Sequence, residues 1–166
     1  MEAPACKGEP RSRQEPGTCI CKHLGVNEPC ICVAVRRLAR KATAFYEAEL
    51  RSAGLTLTQY SALVRLERRG GCSLSELAAE VDLDLATLSR KVAPLVACGW
   101  LSVAADAHDR RAKRYALTAR GTRALRRAER HWRRAQASAR RILPAKDVEE
   151  IGRLAEAFGA LAAARA

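Results

Sequence analysis

From Cys30 to about Ser52 the chain has no helix breaker, and Val35, Leu38, Ala39, Ala42, Phe45, Tyr46 and Ala48 recur at steps of three and four, with Glu49 and Leu50 beside them. That period predicts a helix with one apolar face. Pro29 suits its opening and Gly54 its close. Thr58 is the expected cap of a second helix reaching about Arg69, with Tyr60, Leu63, Val64 and Leu66 inward, Arg65, Arg68 and Arg69 outward, and Gly70-Gly71 as its stop. Ser73-Leu74-Ser75-Glu76 reads as a capping box, and the short helix it starts turns Leu74, Leu77, Ala78 and Val81 to the core. After the corner Asp82-Leu83-Asp84, with Asp84 as cap, a further helix runs from Leu85 to Cys98. Its inward residues are Leu88, Val92, Leu95 and Val96, and its outward ones Ala86, Thr87, Ser89, Arg90 and Lys91. Pro94 is expected to bend its second half.

Beyond Gly99 the period changes. Trp100 to Val103 alternates as a strand, residues 104–112 form a polar turn, and Arg114 to Leu117 returns as a second strand. Thr118 caps a long helix, about Ala119 to Ile142, whose Arg120, Arg123, Arg127, Arg130 and Arg134 form a stripe opposite Leu125, Ala128, Trp132, Ala135 and Ala139. Pro144 starts a last helix, with Asp147, Glu149 and Glu150 at its positive end and Val148, Ile151, Leu154, Ala155, Phe158 and Leu161 as its expected buried side. Residues 1–29, with four prolines and three glycines, read as a flexible cysteine-containing arm.

This order of elements predicts a mainly α (α+β) fold: a winged helix-turn-helix with a two-stranded β-wing. The expected domains are an arm at 1–29, an N-terminal helix at 30–55, the winged helix-turn-helix at 56–118 and C-terminal helices at 119–166.

Charge sharpens the picture. The chain carries a formal +12, and residues 110–141 hold thirteen Lys and Arg against the single Glu129. Like charges three and four apart on a helix repel, and a polyanion relieves them. Double-stranded DNA fits better than a membrane surface because the segment lacks a broad Trp, Phe and Leu face. The helix from Leu85 presents hydroxyls and cations near its N-terminal end, the chemistry a major groove asks for. Thr87, Ser89, Arg90 and Lys91, with Arg110, Arg111 and Lys113 of the wing, are therefore the candidate DNA contacts. No stretch is apolar enough for a transmembrane helix, and the first thirty residues lack the apolar middle of a secretory signal. A cytoplasmic location, with reduced thiols, is the expectation. An enzyme is not expected: His23, His108 and His131 lack a Ser or Asp partner at recognisable spacing, and no phosphate-binding Gly loop is present.

Three stretches go further. Leu57-Thr58-Gln59-Tyr60 opens a helix; Leu74-Ser75-Glu76-Leu77-Ala78 is followed by Leu88-Ser89-Arg90 and a Gly99-Trp100-Leu101 exit; and Asp109-Arg110-Arg111 precedes Leu117-Thr118-Ala119-Arg120-Gly121. Together they resemble the MarR family of winged-helix transcriptional regulators, and the helical layout extends the likeness over roughly residues 30–163. The resemblance implies a homodimer joined through the first and last two helices, which serve as dimerisation helices. It places the Leu85–Cys98 helix in the major groove and the wing tip in the minor groove, with Arg111 as the wing arginine and Asp109 as the carboxylate that braces it. A two-fold dimer implies a pseudo-palindromic operator with half-sites about 34 Å apart. The cysteine-rich arm and Pro94 depart from the family pattern.

Seven cysteines remain to be placed. Cys72 and Cys98 sit beside apolar residues and read as small buried hydrophobes. The pairs Cys19/Cys21 and Cys30/Cys32, with His23 nearby, offer either oxidisable thiols or ligands for a soft metal, with Zn, Cu or an iron–sulfur cluster as candidates. Cys-x-Cys is a tight spacing for one metal, so both alternatives stand beside a third in which the thiols sense nothing. The sequence thus points to a transcriptional regulator, a repressor, whose operator affinity follows thiol oxidation or metal binding. The alternatives are the same regulator controlled by a small organic anion, or a non-specific architectural DNA-binding protein.

Overall fold

The structure is a computed structural model and describes residues 30–106 and 112–164. Its elements are α1 (Ile31–Leu50), a 3-10 turn (Arg51–Ala53), α2 (Leu57–Arg69), β1 (Cys72–Ser73), α3 (Leu74–Glu80), α4 (Leu85–Ala97), β2 (Leu101–Ala105), β3 (Lys113–Leu117), α5 (Ala119–Ile142) and α6 (Ala145–Ala163). The chain divides into two units between Ala42 and Thr43, inside α1, and the core belongs to the second.

That core is built from leucines placed by helical periodicity. Leu50, Leu63, Leu66, Leu77, Leu88 and Leu125 are fully buried, each worth about 1.5–3 kcal/mol of apolar burial. Leu74, Val81, Val96 and Trp132 pack around them, partly buried. Tyr46 on α1 donates its hydroxyl to Gln136 Oε1 on α5 at 2.5 Å.

Side chains close the helix starts. The cap of α2 is Thr56, not the expected Thr58: its hydroxyl accepts from the Gln59 amide at 3.2 Å, and Gln59 Oε1 accepts in return from the Thr56 amide at 3.0 Å. Three residues beyond Thr58 stands Ser61, too short to close that reciprocal pair, so the box forms two residues earlier. Ser73 and Glu76 make the expected box at α3, and Asp84 Oδ1 accepts from the Thr87 amide at 2.8 Å at α4. Between those helices Asp82 takes a left-handed φ of 52°, which Asp tolerates better than most residues. Despite Pro94, α4 runs unbroken to Ala97 and ends with the Trp100 amide donating to the Leu95 carbonyl at 2.9 Å.

The expected two-stranded wing is the hairpin of β2 and β3, and the sheet adds a third strand, β1, to it. The three antiparallel strands stand in the order β1-β3-β2, with Cys72 opposite Tyr115 and Leu101 opposite Leu117. A two-residue strand is too short to leave an alternating signature, so β1 was hidden in the sequence. Thr118 ties the sheet to α5: its amide donates to the Trp100 carbonyl at 3.0 Å, its hydroxyl donates to the Gly99 carbonyl at 2.7 Å, and the same hydroxyl accepts from the Gly121 amide at 3.1 Å.

The apolar side of α6, which the dimer expectation assigns to a subunit interface, is exposed in the single chain. No residue of α6 is buried in the single chain, and Val148, Ile151, Leu154 and Phe158 are 40–50% exposed. The apolar stripe is present, and within the second unit no described residue covers it. Along α1, Val35, Leu38 and Phe45 are likewise exposed, and only Leu50 is buried.

Candidate nucleic-acid interface

The two caps around the corner fix where α4 points. Asp84 holds the first turn of α4, and the backbone amide of Thr87, with its hydroxyl, keeps the Asp84 carboxyl below the ordinary carboxylate range. The Ser73 amide does the same for Glu76, most strongly through the backbone hydrogen bond. Lowered folded-state values mean that each carboxylate contributes stability above its unfolded pKa, about 4, and loses it as pH falls through the depressed value. Thermal melts between about pH 7 and pH 3 should therefore show an acid limb. Asp84→Asn and Glu76→Gln together should flatten that limb.

With its base so fixed, α4 turns Leu88, Val92 and Leu95 into the core and leaves Ser89, Arg90 and Lys91 exposed, with Thr87 half-buried beside them. Arg90 Nη2 donates to Thr87 Oγ1 at 3.3 Å, so two of the four expected contact residues on α4 touch. Gln59, part of the Leu57-Thr58-Gln59-Tyr60 string, has two roles. While its Oε1 serves the α2 cap, its Nε2 donates to the Lys91 carbonyl at 3.1 Å and pins the middle of α4 to the start of α2.

Lys113 is exposed at the start of β3. Asp109, Arg110 and Arg111 lie outside the described residues. At the base of the wing the Asp106 amide donates to the Ala112 carbonyl at 2.9 Å. Arg114 reaches in two directions, donating from Nη2 to the Gly71 carbonyl at 2.6 Å and standing with Nη1 3.4 Å from Asp106 Oδ2. Arg114 has no signal in the sequence, because its partner Gly71, just before β1, comes near it only through the pairing of β1 with β3, which has no local signature.

The thiols divide by location. Cys30 stands half-buried just before α1 and Cys32 is exposed in its first turn, while Cys19, Cys21 and His23 lie outside the described residues. Among the described residues no group of three or more His, Cys, Asp and Glu could hold a metal ion. Cys72 is buried, as expected, and burial pushes its thiol pKa up. Cys98 is only half-buried, with its Sγ donating to the Leu95 carbonyl at 3.4 Å. Iodoacetamide should accordingly label Cys32 in the native protein and Cys72 only after unfolding, which peptide mapping by mass spectrometry reads directly. His131 sits on the face of α5, hydrogen-bonded through Nδ1 to Arg134 at 2.7 Å.

A second feature lies between α2 and α5. Tyr60 and Trp132 stack with centroids 6.0 Å apart, beside a cavity of about 390 Å³ walled by Arg65, Arg68 and Arg133 with Glu67 and Glu129. Among the described residues, no helix is long and apolar enough to cross a membrane.

Two capped helices meeting at a corner, the second with a polar outward face, followed by an antiparallel β-hairpin, define a winged helix-turn-helix. The MarR family model matches residues 53–112. The transcriptional regulator MosR of M. tuberculosis, in a structure with DNA, is 36% identical, with 78% of this chain and 98% of that one covered at a TM-score of 0.65. The chain belongs to the MarR family and is a transcriptional regulator rather than an enzyme. Two more distant structures share the fold. BpsR of Bordetella bronchiseptica, whose DNA binding is regulated by 6-hydroxynicotinic acid, is 23% identical over 78% of this chain and 93% of its own, with a TM-score of 0.71. E. coli MarR is 18% identical over 79% and 97%, with a TM-score of 0.61. No curated protein matches the chain.

Proposed function

We propose that the protein is a homodimeric repressor that binds a pseudo-palindromic operator, with α4 in the major groove and the wing tip in the minor groove. The observation that carries this reading is the outward face of α4, where Thr87, Ser89, Arg90 and Lys91 gather on a helix whose other side is anchored in the core. Arg111 and Arg110 enter the minor groove, where narrow stretches concentrate negative potential, with Asp109 as brace and Lys113 on phosphate. The apolar stripe of α6, exposed among the described residues, supports the dimer, since monomeric soluble proteins rarely leave a contiguous apolar face to water. The dimerisation helices of this reading are those within 30–55 and 119–166, on either side of the DNA-binding segment 56–118. Footprinting should show two protected half-sites one helical turn apart; a single unpaired half-site speaks against the dimer.

The signal is read at Cys19, Cys21, Cys30 and Cys32, with His23 as a further ligand if the signal is a soft metal. Peroxide converts two thiols into one disulfide with release of two waters, and the CxC spacing keeps partners close. Cys30 stands just before α1 and Cys32 in its first turn. Moving α1 within a dimer changes the separation of the two α4 helices, so operator affinity falls. Operator binding by protein purified without air, measured before and after peroxide and again with the four cysteines replaced by Ser, tests it. A parent protein that responds to neither peroxide nor added Zn or Cu contradicts it.

The cavity beside Tyr60 and Trp132 favours a second reading, in which a small aromatic anion is the signal. Stacked rings and flanking guanidiniums suit a flat carboxylate. Under that reading the Ser variants derepress like the parent.

A further inference from the structure

Seven of the nine arginines of α5, those from Arg120 to Arg134, fall into two sets, paired and unpaired. Arg126 stands 3.0 Å from Glu67 and 3.2 Å from Glu129, Arg133 3.9 Å from Glu129, and Arg134 3.7 Å from Glu49. Arg120, Arg123, Arg127 and Arg130 are exposed, and among the described residues no carboxylate pairs with them. Steps of three, four and three set these four on one line, opposite the face buried through Leu125 and Ala128. The line is about 15 Å long. Its first end is fixed at the foot of the wing, because Thr118 is held by the Gly99 and Trp100 carbonyls.

We infer that this row is a second DNA-contacting surface, which takes backbone phosphates of the duplex flanking the operator on the wing side. The inference rests on the DNA-binding reading above and extends it beyond α4 and the wing. Four guanidiniums one turn apart repel one another, and a line of phosphates removes that repulsion while offering each a bidentate acceptor. The chemistry of the row selects among polyanions. A single strand would want aromatic platforms, and Trp132, the one aromatic residue of α5, is half-buried against Tyr60. A membrane surface would want apolar side chains along the same line, and the row has none.

The test uses the full chain and two duplexes, one ending at the outer edges of the half-sites and one extended by about 15 bp on each side. At about 50 mM salt the parent should bind the extended duplex about tenfold or more tightly, with a salt slope steeper by about 0.9 for each added phosphate contact. The variant carrying Arg→Gln at 120, 123, 127 and 130 should match the parent on the short duplex and lose the gain, while the corresponding Lys variant keeps most of it. Equal affinity and equal salt slope of the parent on both duplexes overturn the inference whether or not the Gln variant folds. So does a Gln variant that retains the gain, or a gain matched by an acidic polypeptide competing at equal charge. Failure of the parent to prefer the short operator over random duplex would instead remove the DNA-binding reading beneath it.

Discussion

Arg90→Ala should weaken operator binding by about 10- to 100-fold and binding to random duplex by only a few fold, the ratio expected when one bidentate base contact is lost. Arg90 is exposed on α4, and its hydrogen-bond partner within the chain is the hydroxyl of Thr87 one turn earlier. Removing it therefore leaves the core of α4, Leu88, Val92 and Leu95, untouched. Fluorescence anisotropy on both duplexes at one salt concentration separates base reading from charge. A uniform loss on both would assign Arg90 to phosphate and move base reading elsewhere on α4.

Gly121→Ala is expected to have the largest effect on stability. A Cβ at Gly121 would lie 2.0 Å from the carbonyl oxygen of Trp100, and the obstacle is backbone, which cannot swing aside. The same carbonyl accepts from the Thr118 amide, so the strand exit and the first turn of α5 must shift together. Overpacking of this kind costs about 3 kcal/mol, the upper end of the usual range for core insertions. A drop of about 10 °C in Tm should follow. Gly152→Ala serves as the control, since a Cβ there meets nothing within 4 Å. An unchanged Tm for Gly121→Ala would mean that α5 does not dock on the strand exit as described.

Much of this was legible in the chain because local chemistry and tertiary packing agree. Ser73 with Glu76, Asp84 and Thr118 each cap the helix they predict, and α5 begins at Ala119 and ends at Ile142 as its periodicity requires. The chain is less legible where a reciprocal partner decides. Thr56 rather than Thr58 caps α2 because only from Thr56 does Gln59 stand three residues on to close the box, and β1 has no sequence signal because two residues carry no period. The α6 stripe is apolar as its period requires, and its exposure in one subunit is what a face meant for a partner shows. In the candidate site, Arg90 and Lys91 followed from the inward pattern of α4. Gln59 and Arg114 did not, because each acts on a carbonyl tens of residues away, Lys91 and Gly71.

The central claim, that α4 and the wing read a two-fold sequence, is tested most directly by selecting bound duplexes from a random-sequence library with the purified chain, then comparing the affinity of the selected duplex with that of a scrambled one of equal length at equal salt. The selected duplex should share a two-fold sequence and bind at least about a thousandfold more tightly, the lower bound typical of specific regulators. Equal affinity for the two duplexes, with the same steep salt dependence, would contradict it and make the protein an architectural DNA binder.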